Sequence, residues 1–310
     1  MDEIDETDTP EVSILVVSYN TRAMTLDCLR SVVRETRAAY QLIVVDNAST
    51  DGSAAAIAAA FPDIRLIASD ENLGFGCANN LAAAEARGEY VLLLNPDTVI
   101  LDGAIDRLLA FARARLKAKM WGGRTVFADG SPNPTNCYQD VTLWRMFCRA
   151  SGLTALTRNH RWFSTMYGGA DMSRERAVDV ITGCFLLLPR RLWSDLGGFD
   201  PDFFLFDEET DLCMRARCDF GARPRYTPDA VIVHHVGQST PSRPDRVMRQ
   251  LSGRLLLIDK HFAGLRRLAA RRLVMLTPAL RAAMEGLLSR IGRPTQACWS
   301  EVWRKRRDWA

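Results

Sequence analysis

The stretch VSILVVSY, residues 12–19, is β-branched and apolar almost throughout. A strand with one face in water alternates polar and apolar positions. This run does not, so it reads as a strand buried on both faces, the kind found inside parallel sheets. Working outward, Asn20 or Thr21 offers a helix N-cap, and MTLDCLRSVVRET (24–36) repeats Met24, Leu26, Leu29, Val32 and Val33 at helical spacing. QLIVVDNAST (41–50) predicts a second strand ending on Asp46, then the turn STDGS and an alanine-rich helix from Ser53 to Phe61. IRLIAS (64–69) is a third strand. NLGFGCANNLAAAEARG (72–88) is a glycine-punctuated loop leading into a helix, with Gly88 as its C-cap. EYVLLLNPD (89–97) is a fourth strand closing in an Asn-Pro-Asp turn, and a helix from Gly103 to about Lys119 follows.

Strand and helix alternating at this spacing make βαβ units, hence an α/β fold whose mostly parallel sheet is covered on both sides. Ligands collect at the carboxyl ends of such strands. Here those ends carry Ser18-Tyr19-Asn20, Asp46-Asn47 and Asn95-Pro96-Asp97. Residues 124–175 are aromatic and irregular. Beyond them DVITGCFLLLP (179–189) is a strand, RRLWSDLGGF (190–199) a short helix, and RPRYTPDAVIVHHVGQS (223–239) a strand ending on His234-His235.

The bulk composition fits that frame. At 310 residues the chain suits one large α/β domain, or one domain with an appended segment. A hydrophobic fraction of 47% and a charged fraction of 25% exclude disorder of the whole. MDEIDETDTPE (1–11) is acidic with no apolar core, so it reads as a solvated tail rather than a secretory signal. Runs such as VSILVV and CFLLLP fall well short of the ~18 apolar residues of a spanning helix. The eight cysteines show no CxxC pair and no zinc spacing, so reduced thiols in a cytoplasmic protein are expected. Charge is divided: residues 243–310 hold 16 Lys/Arg against 5 Asp/Glu, a balance of +11, while residues 1–242 hold 24 against 32, a balance of −8.

FDPDFFLFDEETDLCMRAR (199–217) packs Asp200, Asp202, Asp207, Glu208, Glu209 and Asp211 around Phe203, Phe204, Leu205 and Phe206. A solvated loop would not need the phenylalanines, and a core strand would not tolerate the acids. From Glu209 the run reads as a helix, so the acids gather at its N-terminus, where the dipole favours negative charge. Apolar walls there would raise the pKa of one acid, which suits a general base. A capping box with Arg215 and Arg217 as partners is the structural alternative. Asp97, just past a buried strand, can present its carboxylate to a ligand or close an Asx turn. Asp46 can accept from a nucleobase N–H or cap the STDGS turn. Of His234 and His235, which can bind a divalent cation or donate to phosphate, alternation lets only one face the site.

Together, SILVVSYN, LIVVDNASTDGS, NLGFGCANN, YVLLLNPDT, ITGCFLLLPRRLW, GGFDPDFFLFDEETDLCMRAR and AVIVHHVGQS resemble, in order and spacing over about residues 12–240, the family 2 glycosyltransferases, and within them the bacterial rhamnosyltransferase-like branch. The resemblance implies the GT-A nucleotide-sugar-binding fold. Residues 12–242 would be the catalytic domain, 12–120 its donor half and 121–242 its acceptor half, followed by a basic helical segment, 243–310. Asp46 would contact the nucleobase beside Ser18 and Tyr19; Asn72, Gly74, Asn79 and Asn95 would line the donor site. Asp97 would be the metal-binding aspartate of a DxD-like motif. Asn95 stands where a fuller motif has a first aspartate, so one carboxylate would hold Mg²⁺ or Mn²⁺. Aligning on the following DLC puts Glu208-Glu209 at the family's ED motif. Glu209 is then the catalytic base, with Glu208 as competitor and Asp211 as support. His234 matches the histidine of the HxxGxS element, a metal or diphosphate ligand, and His235 is the alternative.

The chemistry implied is an inverting single displacement, with the phenylalanines walling the acceptor pocket. The expected donor is dTDP-L-rhamnose, then a UDP-hexose. The expected acceptor is a glycan or polyprenyl-linked saccharide of polysaccharide or cell-wall assembly. GLRRLAARRLVMLTPALRAAM (264–284) pairs Arg266-Arg267 and Arg271-Arg272 between leucines and is interrupted at Pro278. Such a segment either contacts an anionic membrane peripherally, at its inner face, or packs its leucines on the catalytic domain. A nucleotidyltransferase would need a glycine-rich, Lys/Arg-bearing phosphate loop, for which SYNTRAMTLD is a poor candidate. A nucleic-acid module would leave Asp46, Asp97 and Glu209 unexplained, and no nucleic-acid partner is expected.

Overall fold

A computed structural model describes residues 9–158, 160–167, 172–235, 242–292 and 298–310. Residues 1–8 of the acidic tail, and Gly237 and Ser239 of the HxxGxS element, lie outside them. In chain order the first elements are β1 (Val12–Ser18), α1 (Arg22–Glu35), β2 (Tyr40–Asn47), α2 (Ser53–Ala60), β3 (Arg65–Ser69), α3 (Gly74–Ala83) and β4 (Tyr90–Leu94). Next come β5 (Thr98–Ile100), α4 (Ala104–Arg113), β6 (Trp121–Val126), β7 (Cys137–Tyr138), α5 (Leu143–Ser151) and α6 (Leu153–Leu156). The rest are β8 (Arg176–Ala177), β9 (Val180–Ile181), β10 (Phe185–Pro189), α7 (Arg190–Leu196), α8 (Glu208–Phe220), β11 (Arg225–His234), α9 (Arg243–His261), α10 (Gly264–Arg290) and α11 (Trp299–Arg304).

Contacts divide the chain into two units. The first draws on Met1–Tyr138, Asp171–Phe204 and Glu208–Ser239. It holds the large sheet, ordered β3-β2-β1-β4-β10-β6-β11-β5, with β8 added on β11. β1, β2, β3, β4, β6 and β11 run one way, and β5, β8 and β10 the other. Every residue of β1 and β4 is buried, as the unbroken apolar runs require. Val12, Ile14 and Val16 of β1 meet Leu29 and Val32 of α1 and Leu108 and Leu109 of α4 in one core. Each such side chain contributes roughly 1.5–3 kcal/mol of transfer free energy.

Two expectations about this unit need correction, and one strand carries an irregularity. Helix α3 ends at Ala83 with Ala84 as its cap, so Gly88 is not a C-cap. A Cβ at Gly88 would stand 2.5 Å from the Ser13 nitrogen and 2.6 Å from the Val12 carbonyl carbon, so glycine lets the chain pass against β1. The single strand expected over 179–189 is broken at Thr182–Cys184, where the Cys184 carbonyl accepts from the Asn95 N–H at 3.2 Å. Pro228 breaks the β6–β11 register between Tyr226 and Val231, because proline has no N–H for the ladder.

The second unit draws on Gln139–Ala170, Leu205–Asp207 and Thr240–Ala310. Helix α10 packs against α5, α9 and α11, a grouping of residues 139–170 with the C-terminal helices that leaves no local trace in the residue pattern. Pro278 lies inside α10 without interrupting it: proline removes one intrahelical bond, and the helix continues past it. The three residues Leu205–Asp207 lie against α9. A Cβ at Gly253 would stand 2.4 Å from the Phe206 carbonyl oxygen, and Arg254 donates to both carboxylate oxygens of Asp207, at 2.7 and 2.9 Å.

Candidate active site

Ser18, Asp46 and Asn95, three of the residues expected to face a donor, stand at or just past the carboxyl ends of β1, β2 and β4. Ser18 and Asp46 are register partners. The Ser18 hydroxyl is buried and faces Thr25 at 2.9 Å, holding the first turn of α1 rather than projecting outward. Tyr19 is half-buried and Asn20 exposed. The Asn20 N–H donates to Ser49 Oγ at 2.9 Å, and its Oδ1 accepts from the Thr50 N–H at 2.8 Å, tying the two strand-end loops together. Asp46 is 3% exposed. Its Oδ2 accepts from the Ser49 N–H at 3.1 Å, as the capping alternative expected, but its Oδ1 is buried with no hydrogen-bond partner.

Asn47, noted in the sequence only as a strand-end polar residue, organises the next loop. Its Nδ2 donates to Asn72 Oδ1 at 3.0 Å and to the Gly74 carbonyl at 3.3 Å, and its Oδ1 accepts from the Leu73 N–H at 2.9 Å. Gly74 has φ 78°, and a Cβ there would sit 2.4 Å from the Phe204 carbonyl oxygen. The position therefore requires glycine twice over. Asn79 is buried and donates to the Phe75 carbonyl at 2.9 Å, a bond within α3.

Asp97 and His234 come together from the ends of β4 and β11. Asp97 is 4% exposed, His234 8%, and Oδ1 lies 3.4 Å from Nε2. Asn95 Nδ2 also lies 3.4 Å from that nitrogen, and Asn95 Oδ1 is buried without a partner. Burial works against the imidazolium, but the Cys184 sulfur and the Asp97 carboxylate beside the ring outweigh it and raise His234 to about 10. His235 is exposed, and only its backbone N–H reaches Asp97, donating to the carbonyl at 3.0 Å. Cys184 and Asn133, whose Nδ2 donates to the His234 carbonyl at 3.3 Å, carried no sequence signal.

The acids of residues 199–217 sort by environment. Glu208, Glu209 and Asp211 occupy the first turn of α8. Glu208 and Asp211 are buried and Glu209 half-buried. Asp211 is committed to Arg215, at 2.7 Å, and the same guanidinium donates to the Leu196 and Gly198 carbonyls at 2.7 and 2.9 Å. For this one acid the arginine pairing of the structural alternative is present, as an ion pair one turn along α8. Arg217 lies 3.4 Å from Asp179 instead. Phe203 is buried but Phe204 is exposed. Phe206 and Asp207, immediately before α8, both have left-handed backbones, φ 73° and 69°, a conformation costing on the order of 1 kcal/mol or more at residues with a Cβ.

Residues 13–192, more than half of the chain, match Glycosyl transferase family 2, and the chain belongs to that family. It is a glycosyltransferase. The N-acetylglucosaminyl-diphospho-decaprenol L-rhamnosyltransferase of Mycobacterium tuberculosis (strain ATCC 25618 / H37Rv) is 29% identical to it over 266 residues, 82% of this chain and 86% of the relative. The O-antigen biosynthesis protein RfbC of Myxococcus xanthus is 26% identical over 249 residues, 77% of this chain and 18% of that one. Among solved structures, the mannosyltransferase PcManGT from Pyrobaculum calidifontis, in complex with GDP-Man and Mn²⁺, matches with a TM-score of 0.58 at 18% identity, covering 96% of this chain and 80% of its own. S. aureus TarS 1–349 in complex with UDP matches at 0.51 and 15%, covering 90% and 72%. These likenesses establish the GT-A fold.

Proposed function

We propose that the chain moves L-rhamnose from dTDP-rhamnose to a saccharide on a lipid-diphosphate carrier, by an inverting, cation-assisted single displacement at the cytoplasmic face of a membrane. The observation that carries this is the carboxyl edge of the sheet. Asp97 faces His234 at 3.4 Å, and the Asp46 Oδ1 at the end of β2 is buried and unpaired. The ends of β2 and β4 are two strand spacings apart, about 10 Å, a span suited to a nucleobase at one end and a diphosphate at the other. An acceptor oxygen left buried and unpaired costs roughly 1–3 kcal/mol, which a nucleobase N–H at Asp46 would remove. The rhamnosyl and lipid-diphosphate assignments rest on the mycobacterial relative.

Asp97 and His234 are the residues that would hold a divalent cation. No group of three or more His, Cys, Asp or Glu is placed for one among the described residues. Two protein donors nonetheless fit Mg²⁺ or Mn²⁺, which commonly take one or two carboxylates and leave their other positions to phosphate oxygens and water. When bound, the cation neutralises charge on the departing diphosphate. His234 would bind the cation only through a neutral imidazole nitrogen; protonated, it would instead donate to a phosphate oxygen. Glu209, half-buried in the first turn of α8, accepts the acceptor hydroxyl's proton as that oxygen bonds the anomeric carbon. The carbon–diphosphate bond breaks on the opposite face and its electron pair leaves with the diphosphate. Asp211, paired with Arg215, fixes the helix and moves no proton.

Donor titration by calorimetry tests this. dTDP-rhamnose, UDP-hexoses and GDP-mannose are each titrated with Mn²⁺, with Mg²⁺ and with EDTA, against the wild-type chain and Asp97→Ala. Metal-dependent binding of dTDP-rhamnose that is lost in Asp97→Ala is expected. Tighter binding of a UDP-hexose would move the donor assignment, and no nucleotide-sugar binding at all would end the reading.

A further inference from the structure

We infer that the exposed face of α10, with the aromatic residues of α5 and the segment after α6, is a docking surface for an anionic phospholipid bilayer. This deepens the membrane placement proposed above by assigning the surface, and every contact used lies within the second unit. Helix α10 has 27 residues, so it is about 40 Å long at ~1.5 Å per residue. Leu265, Leu276, Leu280 and Leu287, with Ile291 just beyond the helix, recur at intervals of eleven, four, seven and four residues, which places them on one stripe. All five are exposed, Leu265 at 84%. The opposite face, through Ala270, Val274 and Thr277, is buried. A soluble surface rarely leaves a continuous apolar stripe of this length uncovered.

Charge decides what covers it. By the helical repeat, Arg272 and Arg290 flank the stripe on one side and Arg266 on the other, and all three are exposed. The only acid of α10 is Glu285. It is buried, accepting from the Cys298 and Ser300 N–H groups at 3.1 and 2.7 Å and from the Ser300 hydroxyl at 2.6 Å. The face α10 turns to solvent therefore carries guanidiniums and no carboxylate. Arginine stems lie along apolar surface while their heads reach outward, the arrangement of an interfacial helix on anionic headgroups.

A second, separate feature agrees. On α5, which packs against α10, Trp144 and Phe147 stack at 5.8 Å and are both exposed. Trp162 is 63% exposed, with the Arg161 guanidinium 5.7 Å from its ring centre. The Trp144 Nε1–H donates to the Trp162 carbonyl at 2.9 Å, so that indole's polar atom is satisfied and its apolar edge is free for an interface. Tryptophan beside arginine favours the membrane–water boundary. A second copy of the chain fits poorly, because a self-complementary contact would set the basic stripe against itself. Nucleic acid would leave the leucines in water.

Co-sedimentation of the full chain with phosphatidylcholine vesicles, with and without a quarter phosphatidylglycerol, at low and high salt, tests this without donor or turnover. The transferase reading can therefore fail separately. Binding that needs phosphatidylglycerol and weakens about tenfold or more at high salt is expected. Leu276→Glu/Leu280→Glu/Leu287→Glu should abolish it, and Arg266→Glu/Arg272→Glu/Arg290→Glu, confined to exposed positions, should do so with the fold intact. Both should leave donor-nucleotide affinity unchanged. The inference is overturned if the wild-type chain ignores anionic vesicles or binds neutral ones equally well. It is also overturned if the charge-reversed variant still binds, or if light scattering shows a dimer that the leucine variant dissociates.

Discussion

Replacing Gly253 with alanine sets two effects of opposite sign against each other inside α9. In an ordinary helix interior the change stabilises by roughly 0.5–1 kcal/mol, because glycine loses the most backbone entropy on folding. At Gly253 the new Cβ would stand 2.4 Å from the Phe206 carbonyl oxygen, 3.2 Å from its carbon and 3.5 Å from the Leu205 oxygen. These are backbone atoms of a turn already left-handed at Phe206 and Asp207. The turn is pinned by the paired hydrogen bonds from Arg254. It cannot yield cheaply, and forcing it is an overpacking problem worth about 1–3 kcal/mol. The net effect is a loss of about 0–2.5 kcal/mol. Gly286 in α10 is the control: a Cβ there meets nothing within 4 Å, so Gly286→Ala should stabilise by the full ~0.5–1 kcal/mol. Parallel calorimetric melts of the two variants should place Gly253→Ala below Gly286→Ala by a few degrees, at roughly 2–4 °C per kcal/mol. If the two variants gain equally, the close approach of α9 to Phe206 is wrong.

Arg254→Met leaves the buried Asp207 carboxylate without its guanidinium and should cost about 3 kcal/mol. Asp207→Asn added to it should recover a good part, as read by urea midpoints. Gly88→Ala drives a Cβ to 2.5 Å from the Ser13 nitrogen and should lower the melting point clearly; a C-cap role would be refuted by the same result in a Gly88→Asn variant, since asparagine tolerates caps. Burial opposes ionisation of Glu285, but hydrogen bonds from Ser300 and the Cys298 and Trp299 backbone outweigh it and hold its pKa below the ordinary 4.5. Its contribution is therefore complete above pH 4.5 and is lost as pH falls through the depressed value. Melts between about pH 3 and 6 should show this acid dependence flattened in Glu285→Gln.

The parallel half of the fold was legible because its signals are local. β1, β2 and β4 announce themselves as unbroken apolar runs, and polar residues stand at their carboxyl ends. Alternation said that one histidine of the pair turns inward; burial shows it is His234. What the sequence hid depends on distant partners. Asp211 looks like Glu208 and Glu209 until Arg215, one turn on, is seen clamped to the Leu196 and Gly198 carbonyls. Asp207 was one acid among six, and its pairing with Arg254, 47 residues away, has no local trace. Gly88 followed an alanine-rich helix as a cap would, but its reason lies in the strand beside it. Pro278 reads as a break by local propensity alone, whereas α10 is held by packing against three other helices.

The central claim is that Glu209 is the base and Asp97 with His234 the diphosphate end of one active site. Its most direct test is the separation of donor binding from transfer in Glu209→Gln and Glu208→Gln, with an N-acetylglucosaminyl-diphospho-lipid as acceptor. Glu209→Gln should bind dTDP-rhamnose and metal as the wild-type chain does, while transfer falls by on the order of 10²–10⁴, and Glu208→Gln should lose far less. Full transfer by Glu209→Gln, or a loss of donor binding equal to its loss of transfer, would contradict the account.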